Sequence, residues 1–164
     1  MSIKNGDILN RADKVNFLDV EGTGTSFARM KGFTDMGKSS NPSEYSRRYV
    51  DERTERNDVT GYAPEIGYGF DEIKGDSVQK VIIDITDDEV TGKSVSIVTV
   101  DFSEPNGDGF IARKRDFSVV PDSDGDSTDA YTYSGSFKAA GDIVKGTAKS
   151  TDGWKNCTFT EETE

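Results

Sequence analysis

The segment that decides the fold is residues 129–160, DAYTYSGSFKAAGDIVKGTAKSTDGWKNCTFT. Tyr131, Tyr133 and Phe137 share one parity there, and positions 132, 134, 136 and 138 are Thr, Ser, Ser and Lys. Successive side chains of a β-strand point to opposite faces of the sheet, so this alternation predicts a strand with one aromatic and one polar face. The Gly-Asp pair at 141–142 and Thr-Asp-Gly at 151–153 are typical of tight turns. The segment therefore predicts three consecutive strands.

The rest of the chain adds more strands and one helix. A helix is predicted at about 76–87, because Asp76 can cap it and Gln79 stands three residues later, close to a capping-box pattern. Its apolar stripe is Val78, Val81, Ile82 and Ile85. Further strands are predicted at 15–21, 26–36, 45–53, 65–71, 94–102 and 110–120. One helix among many strands indicates a mainly β chain of the all-β or α+β class.

Length and composition set limits on the architecture. A chain of 164 residues predicts a single domain spanning 1–164. Hydrophobic residues make up only 32% of it, which favours a thin core or a core that neighbouring subunits complete. The polar N-terminal arm, about 1–14, has no apolar region of a secretory signal. No run of 18 apolar residues is present, so no membrane association is predicted.

The formal charge of −11 is unevenly distributed. Residues 83–164 carry 8 Lys+Arg against 17 Asp+Glu, a net charge of −9, whereas residues 1–82 carry 12 against 14. An acidic field of this size repels phosphate, which argues against a conventional nucleic-acid binder. A surface that nucleic acid slides past without binding would also be acidic.

Several kinds of catalytic site are excluded by residue counts. The chain has no histidine and one cysteine, which removes Ser-His-Asp and Cys-His centres and thiolate or histidine metal sites. Carboxylate pairs and lysine chemistry remain, but the acidic residues cluster in turn-like segments. We therefore predict no enzyme, no catalytic residue and no cofactor. Cys157 is interpreted as a small hydrophobic residue of the last strand.

Two charged segments have alternative interpretations. The acidic turn contains Asp122, Asp124, Asp126 and Asp129, but its glycine is the fourth residue and no glutamate is in twelfth position, so it departs from an EF-hand. It is interpreted as a solvated turn and as a weak cation candidate. The run Arg113-Lys114-Arg115 is a weak phosphate candidate, and a charged edge or subunit contact is the favoured interpretation.

The chain resembles the tail tube (major tail) proteins of long-tailed, non-contractile phages and prophages of Gram-positive bacteria. Three stretches, in this order, carry the resemblance. The first runs from Tyr49-Val-Asp-Glu through Asp58-Val-Thr-Gly-Tyr-Ala-Pro to Tyr68-Gly-Phe-Asp71. The second is the helix and strand at 76–102. The third joins Ala112-Arg-Lys-Arg-Asp-Phe-Ser-Val-Val-Pro-Asp122 to residues 129–138 and ends at Asp152-Gly-Trp154.

The resemblance implies a β-sandwich or half-barrel with one flanking helix. It also implies hexameric rings that stack into a hollow tube through which DNA passes without specific binding. The implied partners are further copies of the chain, a tape-measure protein, a tail terminator and baseplate or tail-tip proteins. The implied location is the virion tail, with synthesis in the bacterial cytoplasm.

The long charged hairpin or loop at about 37–61 is polar on both faces, as expected where both meet water or another subunit. The resemblance implies that it contains the segment that becomes ordered when rings stack. The residues predicted to make that contact are Tyr45, Arg47, Arg48, Tyr49 and Arg53. The alternative from another functional class is a monomeric carbohydrate- or calcium-binding β-sandwich, supported by the aspartate turn and the tyrosines.

Overall fold

The computed structural model describes residues 3–163, which form twelve strands, one α-helix and a short 3-10 turn at Arg11–Asp13. The helix α1 spans Ser77–Asp87. The strands are β1 Lys14–Leu18, β2 Ser26–Arg29, β3 Phe33–Asp35, β4 Lys38–Ser39, β5 Pro42–Arg47, β6 Arg56–Tyr62, β7 Glu65–Asp71, β8 Ser94–Asn106, β9 Gly109–Asp124, β10 Thr132–Ala139, β11 Val144–Lys149 and β12 Asn156–Glu161. The mainly β prediction with a single flanking helix is confirmed for these residues.

Six strands close into an antiparallel barrel in the order β9-β8-β1-β2-β12-β11 and back to β9. The closing step pairs β11 with the first half of β9, where Thr147 lies opposite Ile111. A closed barrel leaves none of its strand edges unpaired along the ring. The expectation of a sandwich or half-barrel is corrected in this respect, because a closed barrel with additional outer strands is a different architecture.

The second half of β9 leaves the barrel and begins an outer extension. There β9 pairs with β10, β10 pairs with β7, and β7 pairs with both β3 and β4. The extension folds over α1, so that the helix lies between it and the outer surface of the barrel. Thus β9, at 16 residues, belongs to both parts of the molecule.

Two apolar cores follow from this arrangement. The barrel interior is filled by buried Phe17, Phe27, Val98, Val100 and Cys157, with Trp154 packed against them. The second core lies under α1 and contains Phe70, Ile82, Ile97 and Phe137, among others. Strand β8 serves both cores because alternate residues point to opposite faces: Ile97 enters the helix core and Val98 the barrel.

The helix begins as the sequence predicts. The Asp76 carboxylate accepts hydrogen bonds from the backbone N–H groups of Val78 and Gln79, at 3.0 and 3.1 Å. Gln79 does not complete a capping box; its buried amide instead accepts from the Ile73 N–H and donates to the Asp71 carbonyl. No helix within residues 3–163 is long and apolar enough to cross a membrane.

Three local predictions are wrong. The strand predicted at 26–36 is divided at Gly32, which has a φ of +81° and little space for a Cβ beside Ile73 and Gln79. The strand predicted at 45–53 turns back after Arg47. Tyr131 precedes β10 and is 51% exposed, so the aromatic face of that strand consists of Tyr133 and Phe137.

Candidate functional site

The charged segment predicted at about 37–61 contains a two-stranded hairpin, β5–β6. It forms a sheet of its own, separate from the ten-stranded sheet of the body. The turn between its strands spans 48–55, and hydrogen bonds between Asn41 and Ala63, which flank the two strands, join the two ends of the hairpin at its base. The hairpin follows β4 directly and precedes β7, so it leaves the body where Lys38 pairs with Ile66.

Contacts within the hairpin hold it in shape. The Arg47 guanidinium lies over the rings of both Tyr45 and Tyr49, donates to the Tyr49 hydroxyl at 2.8 Å and forms an ion pair with Asp58. Arg56 pairs with Glu52 across the turn. Three of the five predicted contact residues, Tyr45, Arg47 and Tyr49, therefore support one another, while Arg48 and Arg53 are exposed in the turn.

The tip and flanks of the hairpin expose several large apolar side chains. Val50, at the tip, has a relative exposure of 108%, and Val59 and Tyr62 are also more than half exposed. Their sequence signal was weak because charged residues surround them. Exposed apolar groups on a projecting element are typical of protein–protein contacts.

A second surface is the outer face of β7 and β10, opposite α1. Phe70 and Phe137 point toward the helix, and the alternate positions point away from it. These positions carry small, polar or charged residues: Glu65, Gly67, Gly69 and Asp71 on β7, and Thr132, Ser134, Ser136 and Lys138 on β10. The face is flat and polar, as the alternation within 131–138 predicts.

The acidic turn lies at the end of the β9–β10 hairpin. Asp122 and Asp124 extend β9, and Asp126 and Asp129 follow in the exposed loop. The Tyr131 hydroxyl donates to Asp124, and this hydrogen bond raises the pKa of Tyr131. No group of three or more acidic, His or Cys residues within 3–163 is placed to hold a metal ion.

The helix end adds further carboxylates beside this turn. Asp87 accepts a hydrogen bond from the Tyr133 hydroxyl at 3.2 Å, and burial together with the Asp87 charge raises the pKa of Tyr133. The Glu72 N–H donates to the Tyr131 carbonyl at 2.8 Å. We call Glu72, Asp87 and the four aspartates of the turn the acidic pole.

The structure also forms a cationic cavity, which the sequence predicts only in part. Its volume is about 240 Å³, and it opens where β1, β4 and β9 approach one another. We call it the cationic mouth, and its charged residues are Lys14, Lys38, Arg113 and Arg115, together with Asp101. Its apolar lining is Ile66, Ile97, Phe117 and Ile143. In the sequence, only the run Arg113-Lys114-Arg115 indicates this cavity, because Lys14 and Lys38 come from distant segments of the chain.

The described residues that line the cationic mouth include four positively charged side chains and one carboxylate. Lys14 lies 3.7 Å from Asp101, and Lys38, Arg113 and Arg115 form no ion pair with any described residue. The Nε of Arg115 is buried and has no hydrogen-bond partner there. Because a buried donor without a partner is unfavourable, the cavity is suited to an acceptor or anion.

The cysteine, Cys157, is a buried core residue. Cys157 lies in the barrel core with an exposure of 2%, and burial raises the pKa of its thiol to about 12. A protonated thiol is a poor nucleophile and metal ligand. Its interpretation as a small hydrophobic residue of the last strand is confirmed.

Comparison with solved structures shows which proteins share this fold. No family model and no curated protein matches the chain. The SPP1 tail tube, solved by solid-state NMR and cryo-EM, matches with a TM-score of 0.64 and 19% identity, over 85% of this chain and 80% of that one. A chain of the native gene transfer agent virion matches with a TM-score of 0.56 and 15% identity, over 83% and 97%. A chain of the tail of the empty gene transfer agent particle, refined with C6 symmetry, gives 0.55 and 14% over the same shares. The chain thus has the fold of these tail components.

Proposed function

We propose that this chain is a structural subunit of a phage tail tube of the non-contractile type. Copies form hexameric rings, and the rings stack into a hollow tube for DNA passage. The observation that carries the proposal is the fold shared with the SPP1 tail tube over 85% of the chain. The C6 symmetry of the gene transfer agent tail supports six copies per ring.

Two properties of the chain agree with a role based on assembly. Exposed apolar residues are concentrated on a projecting hairpin that adds nothing to either core, as expected of a contact element. The residue counts exclude histidine-based catalysis, which fits a structural role. The tape-measure protein, tail terminator and tail-tip proteins are the proposed further partners, in a virion tail built from subunits made in the bacterial cytoplasm.

The flat polar face of β7 and β10 is the proposed lining of the tube. Gly67 and Gly69 present no side chain, Ser134 and Ser136 are small, and Glu65 and Asp71 are acidic. Backbone phosphates are repelled by such a surface and find few groups to bind. DNA would then move along it without being held.

The hairpin β5–β6 is the proposed ring-stacking element, with Val50 as its leading contact. Tyr45, Arg47 and Tyr49 hold the hairpin in shape, so replacing all three would alter its structure as well as its contacts. Val50 makes a sharper test because it is fully exposed and its replacement removes no packing. The Val50→Asp variant should keep its melting temperature and lose stacking. Val90→Asp, at the turn after α1, is the matched control.

Negative-stain electron microscopy of the concentrated protein tests the proposal directly. We expect rings or tubes, formed after a lag if growth needs an initiator. Protein that remains monomeric at high concentration, even with tail-tip proteins present as an initiator, would contradict the proposed function. A rise in melting temperature on adding calcium that Asp124→Ala/Asp126→Ala abolishes would favour the monomeric calcium-binding alternative instead.

A further inference from the structure

The acidic pole and the cationic mouth lie at opposite ends of the same strands. On β7, Ile66 lines the mouth and Asp71 pairs with Thr132 beside the acidic pole. On β9, Arg115 lines the mouth and Asp124 belongs to the pole. Nine residues of extended chain separate Arg115 from Asp124, which is about 30 Å at ~3.3 Å per residue. One copy therefore cannot bring its own pole to its own mouth.

Charge at the two ends is strongly segregated. No Lys or Arg stands between Arg115 and Lys138, so the end of the β9–β10 hairpin carries only negative charge. At the mouth, Lys38, Arg113 and Arg115 are left without a carboxylate partner in the described chain. Opposite potentials on two surfaces guide their association and disfavour like-charged pairings.

We infer that the acidic pole of one copy docks on the cationic mouth of the next. The occupant is a second copy of this chain, because its own pole supplies exposed carboxylates that match the unpaired guanidinium and ammonium groups. Arg115 and Arg113 would donate charge-assisted hydrogen bonds to the incoming aspartates. The exposed Ile143 at the rim gives the contact an apolar margin.

This contact is head-to-tail. Two docked copies together leave one free mouth and one free pole. Because these surfaces lie at opposite ends of the subunit, the contact repeats and produces an open filament. The hairpin β5–β6 leaves the body beside the mouth, since Lys38 and Ile66 flank its base, and it would project toward the same neighbour. The inference rests on the proposed function and names the surfaces that meet between stacked rings.

Charge reversal at exposed residues tests the contact. The mouth variant is Lys38→Glu/Arg113→Glu, which makes the mouth net negative. The pole variant is Asp122→Lys/Asp124→Lys/Asp126→Lys/Asp129→Lys, which makes the pole net positive because only Glu72 and Asp87 stay acidic. All six residues are exposed. The pole variant loses the exposed hydrogen bonds from Tyr131 to Asp124 and from Ser123 to Asp126 but no core contact, so both variants should stay folded, with the circular-dichroism spectrum of the unmodified protein. Lys145→Glu/Lys149→Glu, on β11, changes the charge as much as the mouth variant and is the control.

The expected pattern is mutual rescue. Each variant alone should fail to form tubes at concentrations where the unmodified protein and the control form them, because each then presents like charges at the contact. An equimolar mixture of the mouth and pole variants should form tubes again, since their surfaces are complementary in alternation. The chain carrying all six substitutions should also assemble.

Three outcomes would overturn the inference. If both single-surface variants form tubes like the unmodified protein, the contact is wrong and the proposed function stands. If the mixture and the sixfold variant both remain unassembled, charge pairing is not the basis of the contact. If sedimentation shows the unmodified protein to be a closed dimer, or strictly monomeric at high concentration even with tail-tip proteins present as an initiator, the contact and the proposed function fail together.

Discussion

The body of the molecule and its projecting hairpin are stabilised in different ways. The body has two buried cores and a helix whose cap and buried amide are satisfied. The hairpin β5–β6 has no core of its own and depends on strand pairing, one arginine between two tyrosines, and ion pairs. Buried apolar packing therefore stabilises the body, whereas strand pairing and exposed side-chain contacts stabilise the hairpin.

The largest expected effect is on the helix core. Phe137 is fully buried, with its ring centroid 4.6 Å from that of Tyr68. Phe137→Ala should lower the free energy of unfolding by about 3–5 kcal/mol, through lost burial and the cavity left behind. Denaturant unfolding measures this change in the free energy of unfolding. Val59→Ala on the hairpin should change it by less than about 0.5 kcal/mol, and equal losses would contradict the division into two regions.

The next effect concerns the buried amide under α1. Gln79 is fully buried and joins the Ile73 N–H to the Asp71 carbonyl, at 2.7 and 3.0 Å. Gln79→Ala leaves both groups without this partner, so we expect a loss of about 2 kcal/mol in thermal or denaturant unfolding. Lys80→Ala, which removes only an exposed ion pair with Asp84, should cost no more than about 0.5 kcal/mol.

A smaller effect is expected for the arginine of the hairpin. Arg47→Ala removes the ring contacts and the Asp58 pair, so amide exchange in β5 and β6 should accelerate. Global unfolding should change by less than about 1 kcal/mol, because neither core is touched. Hydrogen exchange measured by mass spectrometry distinguishes faster local exchange in β5 and β6 from a change in global stability. Arg48→Ala, one position along in the exposed turn, should leave exchange unchanged, and an equal acceleration there would show that Arg47 has no special role.

The smallest effect depends on pH. Asp152 accepts hydrogen bonds from Asn156 and Ser150, and these lower its pKa to about 2 from an ordinary 3.8. A carboxylate with a depressed pKa stabilises the folded state above pH ~4, and this contribution disappears as the pH falls through about 2. The stability difference between the unmodified protein and Asp152→Ala should therefore shrink in acid. Denaturant unfolding at about pH 5 and about pH 2 measures this difference, and an equal difference at both pH values would contradict the role of Asp152.

The sequence predicts those features that depend on nearby residues. The alternation around Tyr133 and Phe137 predicts β10, and Asp76 predicts the start of α1, because both patterns are local. Closure of the barrel could not be predicted in this way, since it depends on the pairing of Thr147 with Ile111, which the rest of β9 and all of β10 separate in the chain. The cationic mouth was missed for the same reason. Lys14, Lys38 and Arg113 are far apart in the chain, and only strand register brings them together.

The shared strand has a consequence for how the protein denatures. The first half of β9 closes the barrel and its second half carries the sheet over α1, so unfolding of β9 removes strand pairing from both parts. The two cores should therefore be lost in one cooperative transition, with equal calorimetric and van't Hoff enthalpies. A tube built from such units would resist local melting under tension, because strain at one end of a subunit reaches the other along a single continuous strand.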